Sequence, residues 1–290
     1  MRVFVGGASG YIGAAVCRSL IVRGHKVLGA ARNDATAEKL RLAGVEPVKA
    51  DLSDAASFAR AAKEADAAIQ AASTHDPKSS DYEPKAAQAI LEGLGGGDKP
   101  FILTSGVWVY GNSGSTVVTE GTPLNPFMLV TWRPPVEQTV LKADKIRGIV
   151  IRPGMVYGNA GGMAAMFVAQ AKGEAKTVRI PGDGKNRWSL VHADDLGELY
   201  AIALESAPRG AIYNGTTDES VSLGDVGRAI AKRHGAEFAT TPIEEARKAM
   251  GPFADALALD QVVRSPKALA LGWKPKAISF EADLATGSYG

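Results

Sequence analysis

The sequence predicts an α/β protein with a doubly wound parallel sheet and a smaller C-terminal lobe. Three features carry that reading. Short, almost wholly apolar runs alternate with helical patterns through the first two-thirds of the 290 residues. A glycine-rich turn joins the first run to the first helix. After Gly158 the pattern changes, returning only briefly to the earlier rhythm.

Six runs read as strands: Val3–Val5, Lys26–Ala30, Val45–Ala50, Ala67–Ala71, Phe101–Thr104 and Ile149–Arg152. Most are too apolar for burial on one side only, which suits parallel strands covered by helices on both faces. The helix after the first strand carries Ile12, Val16 and Leu20 along one face and stops near Gly24. Further helices are expected over 54–64, 85–94 and 195–205. Beyond Gly158 come a helix, a polar glycine-rich excursion, a return through VHADDLGELYAIALE and AIYNG, and then several short helices. Ser222 with Asp225 reads as a helix cap, and SPKALALGW as cap Ser265, first-turn Pro266 and terminator Gly272. The expected division is a core of 1–158 with 191–212, and a lobe of 159–190 with 213–290.

Composition narrows the partners. Hydrophobic residues make up 46% and charged residues 22%, an ordinary globular balance. A net charge of +2 argues against nucleic acid or an anionic membrane as partner. The single cysteine, Cys17, excludes an intrachain disulfide and sits on the apolar side of the first helix, where it reads as packing. The N-terminus shows no signal pattern and the chain no 18-residue apolar run, so a cytoplasmic location is expected.

The stretch RVFVGGASGYIG places Gly7, Gly10 and Gly13 between a strand and a helix. Glycines there allow a tight turn, close approach of a pyrophosphate and tight helix–strand packing, with the anion on free N–H groups at the helix N-terminus. A dinucleotide site follows. The second strand ends VLGAARN, with Ala31 where the 2′-hydroxyl forms of such sites place an acid, and Arg32 beside it. A guanidinium without an acid favours a 2′-phosphate, so NADP(H) is preferred over NAD(H). Asp51 and Leu52, after the third strand, are placed for the adenine edge or for a helix cap.

Several blocks then point to a family. GGASGYIG is similar to a TGxxGxxG loop, and ADLSD (50–54) to an adenine-site turn. TSGVWVYG (104–111), RPGMVYG (152–158), WSLVHADDLGELY (188–200) and SPKALALGWKP (265–275) follow in matching order. Together they resemble the extended short-chain dehydrogenase/reductases, which include the NAD-dependent epimerases and dehydratases. The resemblance implies a Rossmann-type core, a C-terminal substrate lobe and a cleft between them for a small molecule. It implies cofactor contacts from Gly7, Ser9, Gly10, Tyr11, Ile12, Gly13, Arg32, Asp51 and Leu52. Ala71, Ala72 and Thr104 join them, with Pro153, Met155 and Val156 near the nicotinamide. Because the family pairs through a four-helix interface, a homodimer is a candidate assembly.

The chain departs from the family where its chemistry resides. Members use Ser/Thr, Tyr and Lys, the lysine favouring tyrosinate and the hydroxyl polarising the substrate oxygen. Here Gly106 takes the Ser/Thr position, beside Thr104 and Ser105. In PFMLVTWRPPVE (126–137) the two registers put Leu129 and Arg133, or Val130 and Pro134, at the Tyr and Lys positions. Pro134-Pro135 is tolerated only in a first turn, so a helix is expected to start there. The candidates for acid or oxygen ligand are Arg133, Tyr110 and Ser105, with Tyr157 and His75 behind them. His192 reads as structural, and Trp108 and Trp132 either wall the cleft or pack in the core.

Three functions compete. One is an NADP(H)-dependent oxidoreductase of a small carbonyl or alcohol with a non-standard proton donor. The second is a non-catalytic NADP(H)-binding sensor, and the third a nucleotide-sugar epimerase or dehydratase, weakened by the missing tyrosine. The polar stretch RIPGDGKNRWSLVH (179–192) favours the first, if it serves a substrate.

Overall fold

The computed structural model describes residues 1–289. Its first half alternates as expected: β1 (Arg2–Gly6), α1 (Tyr11–Val22), β2 (Lys26–Ala31), α2 (Asp34–Leu42), β3 (Glu46–Lys49), α3 (Ala55–Lys63), β4 (Ala67–Gln70), α4 (Ser79–Leu94) and β5 (Lys99–Thr104). After β6 (Val117–Val118) come α5 (Arg133–Leu141), β7 (Ile146–Pro153), β8 (Met155–Tyr157), α6 (Gly162–Lys172), β9 (Thr177–Pro181), β10 (Arg187–His192), α7 (Ala193–Ser206) and β11 (Ala211–Gly215). The rest comprises β12 (Ser220–Ser222), α8 (Leu223–His234), β13 (Glu237–Thr241), α9 (Ile243–Met250), α10 (Phe253–Leu257), β14 (Val262–Val263), α11 (Pro266–Ala270) and α12 (Phe280–Thr286).

Seven parallel strands form the central sheet in the order β11-β7-β5-β4-β1-β2-β3. The order reverses between β1 and β4, which opens a crevice at their carboxyl ends. On one face Val16, Cys17 and Leu20 of α1 pack with Leu196, Leu199 and Tyr200 of α7. On the other, Phe58 and Ala62 of α3, Ile90 and Leu94 of α4, and Val136 and Val140 of α5 cover Phe4, Phe101 and Val150. The second lobe packs α6, α8 and α12 around Phe167, Trp188, Ile180 and Phe280. Trp273 Nε1 donates to the Asp195 carbonyl at 2.7 Å, which ties the SPKALALGWKP block to α7.

Several sequence expectations need local correction. The helix α2 falls in a stretch with no helical expectation; Asn33 caps it by accepting from Thr36 N. The helix α4 starts six residues before Lys85 and carries Pro84 inside, because the proline's missing N–H falls opposite exposed Ser80, where water can serve the carbonyl. Ser222 caps α8 as expected, accepting from Asp225 N at 3.0 Å. Ser265 does not cap α11; its hydroxyl instead meets the N–H and hydroxyl of Thr216. No helix among the described residues is long and apolar enough to cross a membrane.

One buried polar chain joins both halves of the fold. Arg152 of β7 donates through Nε to Glu137 Oε1 of α5 at 3.0 Å and through Nη1 to the Tyr110 hydroxyl at 2.8 Å. That hydroxyl donates to Asn214 Oδ1 at 2.8 Å, and Asn214 Nδ2 to the Arg264 carbonyl at 2.9 Å. Glu137 is fully buried and Arg152 nearly so. Replacing Glu137 with alanine strands the guanidinium, and urea unfolding should show a loss of about 3–5 kcal/mol.

Candidate cofactor and substrate cleft

A cleft of about 1010 Å³ opens at the carboxyl ends of the sheet strands. It runs from Arg32 and Asp51, past the β1–α1 turn, to Trp108 and Met163. Gly7 adopts φ +82°, and a Cβ there would lie 2.6 Å from Ala72 N. A Cβ on Gly13 would lie 2.0 Å from the Gly7 carbonyl oxygen, so α1 closes directly onto the turn. No side chain caps α1 and its first turn carries no acid. The Gly10 N–H closes the turn by donating to the Gly7 carbonyl at 2.9 Å, so the free first-turn N–H groups face the cleft through Tyr11 and Ile12, a cradle suited to a pyrophosphate. Lys39 Nζ donates to the Ser9 carbonyl at 2.9 Å and steadies the turn.

Ser9, Arg32, Asp51, Leu52, Ala71, Ala72, Pro153, Met155 and Val156 all line this cleft, as the resemblance implies. Asp51 Oδ1 accepts from the hydroxyl and N–H of Ser53, and these bonds hold its pKa below the usual carboxylate range. The helix cap is Asp54, which accepts from Ser57 N. Gly13 contributes packing rather than lining. Thr104 does not line the cleft either: its hydroxyl shares a 2.7 Å hydrogen bond with Tyr200, and its carbonyl accepts from Arg133.

At the inner end stand Ser105, Gly106, Val107, Trp108, Val130, Arg133, Met155 and Met163. The Ser105 hydroxyl is buried without a partner. Gly106 is extended, and a Cβ there would meet nothing within 4 Å. Arg133 opens α5 with the proline pair behind it, as expected. Its Nη1 donates to the Thr104 carbonyl at 3.0 Å, its Nη2 lies 3.4 Å from Glu83 Oε2, and it stacks on Trp132 at 4.5 Å. A guanidinium has five N–H donors, so others stay available to a ligand.

The other candidates fall elsewhere. Tyr110 belongs to the buried chain with Arg152 and Asn214 and does not line the cleft, so it is no acid for it; burial pushes its pKa up. The Tyr157 hydroxyl donates to the Ile278 carbonyl. His192 caps α7 by accepting from Asp194 N at 3.1 Å. Trp108 lines the cleft against Phe253, whereas Trp132 packs in the core under Arg133. His75 lines the cleft from an exposed loop. The stretch 179–192 forms strands of the second lobe and contributes no lining residue, which removes its support for a substrate role. Sequence reasoning missed Ser73, Thr74 and Tyr82 in the lining and buried Glu83 behind it. A signal for Glu83 was present: it precedes Ala86, Ala87, Ile90 and Leu94 on the apolar face of α4.

Two substitutions separate these roles. Gly7→Ala should abolish dinucleotide binding, read by titration calorimetry, because the new methyl meets backbone in a disfavoured conformation. Tyr110→Phe should cost about 1–3 kcal/mol in urea unfolding while leaving dinucleotide affinity unchanged.

Residues 3–214 match the NAD dependent epimerase/dehydratase family. The uncharacterized protein C2A9.02 of Schizosaccharomyces pombe is 31% identical over the full length of both chains. A 2'-dehydrokanamycin reductase of Streptomyces kanamyceticus is 31% identical over 70% of this chain and 58% of its own. Among solved structures, human epimerase family protein SDR39U1 with NADPH superposes with a TM-score of 0.78 at 22% identity, covering 99% of both chains. With the match spanning the whole central sheet, the chain belongs to the NAD-dependent epimerase/dehydratase family.

Proposed function

We propose that the protein is an NADP(H)-dependent oxidoreductase that interconverts a small, uncharged, apolar or aromatic carbonyl compound and its alcohol. The observation that carries this reading is the lining of the inner cleft. An intact dinucleotide cradle opens onto Val107, Trp108, Val130, Met155 and Met163, with Ser105 and Arg133 as the polar side chains among them. Such a wall suits an apolar body, and the two polar groups suit one oxygen. Bound NADP(H) exchanges two electrons and a hydrogen with a substrate carbon.

The chain's own residues manage the oxygen. The unpartnered Ser105 hydroxyl donates to the carbonyl and orients it. Arg133, held by the Thr104 carbonyl and stacked on Trp132, presents charge-assisted donors to the negative oxygen that develops on reduction. Arg32 supports the 2′-phosphate form, as does the NADPH in the human structural relative. The reductase from Streptomyces supports carbonyl chemistry. One observation favours a second reading, a non-catalytic NADP(H) sensor: neither Leu129 nor Val130 can act as the family's acid.

Calorimetry and turnover separate the two. Arg32→Ala should weaken NADPH by about 10- to 100-fold and leave NADH nearly unchanged. Arg133→Ala should lower the reduction of apolar ketones by about 100- to 1,000-fold without altering NADPH affinity. Binding of NADPH with no oxidation across a ketone and aldehyde panel supports the sensor, and binding of neither dinucleotide overturns both readings.

A further inference from the structure

The family's tyrosine is absent, yet carbonyl reduction needs a proton for the oxygen. On the oxidoreductase reading, we propose that Glu83 holds that proton and passes it through the Ser73 hydroxyl to a substrate oxygen bound at Arg133.

The geometry around Glu83 is unlike that of a structural ion pair. The residue lies on α4, 4% exposed, with Oε2 3.4 Å from Arg133 Nη2 and Oε1 without any hydrogen-bond partner. A carboxylate kept for stability beside a guanidinium usually takes a short, two-pronged contact. This one is long and one-sided, and burial of an unpaired oxygen favours the neutral acid.

A row of hydroxyls runs from near this carboxyl to the surface. The Ser73 and Ser79 hydroxyls face it without a hydrogen bond to it, a gap that substrate binding closes in the proposed step, and they lie 3.2 Å from each other. Ser79 Oγ is 2.9 Å from Thr74 Oγ1, which donates to exposed Asp76 at 2.7 Å. Ser73 and Thr74 both line the cleft, as does Arg133. A hydroxyl both donates and accepts, so this row can hand protons inward from solvent at Asp76. Burial raises the pKa of Glu83, opposed first by Arg133 and then by Ser73, Ser79 and His75.

The step balances. The carbonyl carbon gains a hydrogen and two electrons from the nicotinamide reductant, its π bond breaks, and the electron pair settles on oxygen. That oxygen forms an O–H bond with the Ser73 proton, and Ser73 takes the Glu83 proton. Negative charge then rests on Glu83, still facing Arg133. The guanidinium has a counter-charge beside it before and after transfer, which limits reorganisation. Water at Asp76 restores the proton through Thr74 and Ser79.

Glu83→Gln and Ser73→Ala test the assignment by two routes. The first route is stability against pH. For an acid whose native pKa is raised, the native state holds the extra proton, so stability falls as pH rises from the ordinary carboxyl value to the raised one. Urea unfolding should show that slope in the parent and in Ser73→Ala, and a shallower one in Glu83→Gln, where Glu219, also raised by burial, still contributes. The second route is ketone reduction by the NADPH-loaded protein. Parental kcat should fall above the Glu83 pKa, whereas each variant should lose about 100-fold in kcat and keep its NADPH affinity. The pH profile of Glu83→Gln should be flat. A Glu83→Gln protein with parental kcat and pH profile, or with the parental stability slope, overturns the proposal. If Glu83→Gln does not fold, Ser73→Ala with parental kcat overturns it. A parent that binds NADPH but reduces no ketone overturns the oxidoreductase reading itself, a different result from a parent that turns over and a Glu83→Gln variant that equals it.

Discussion

A buried guanidinium–carboxylate pair holds the working half of this cleft in place. Arg152 reaches from the central sheet to Glu137 on α5 and to Tyr110 at the end of the short turn 107–110. Removed from water, such a pair needs further hydrogen bonds, and the Tyr110 hydroxyl accepts one from Arg152 while donating to Asn214. The consequence reaches the cleft from both sides. Arg133 lies one turn before Glu137 on the same helix, and Ser105 to Trp108 run directly into Tyr110. Neither segment can shift without exposing a charge to an apolar core, so Ser105 and Arg133 sit on rigid supports.

The two halves of the cleft follow different constraints. The dinucleotide half is governed by backbone: a left-handed Gly7, an α1 without a capping side chain, and the crevice where strand order reverses. Side chains matter little there except at Arg32. The inner half is governed by the Pro134-Pro135 pair. Because prolines belong in a first turn, α5 begins at Arg133, and Met128–Val130 forms a separate short turn with Met128 exposed. The face on which the family carries its tyrosine is therefore not a helix face in this chain. What lines the cleft there is a guanidinium facing Glu83, an open position at Gly106 and an apolar wall.

Much of this architecture is legible in the amino-acid sequence. The alternation of apolar runs and helical patterns determines the parallel sheet, and GGASGYIG at a strand–helix junction determines the cradle, because both depend on local backbone chemistry. The helix start at the proline pair, the cap at Ser222 and the inert burial of Cys17 are local in the same sense. Contacts between distant segments are not legible. Tyr110 reads as a candidate acid, yet Arg152 and Asn214, 42 and 104 residues away in sequence, consume its hydroxyl. The stretch 179–192 reads as a substrate loop, yet its strands turn it away from the cleft. Glu83 lies outside the helix expected over 85–94, yet α4 and α5 pack it against Arg133. Sequence by itself determined the elements and the cofactor turn, since periodicity and glycine act over a few residues. Only the tertiary structure decided which polar groups face the cleft, since burial and pairing are properties of segments brought together by the fold.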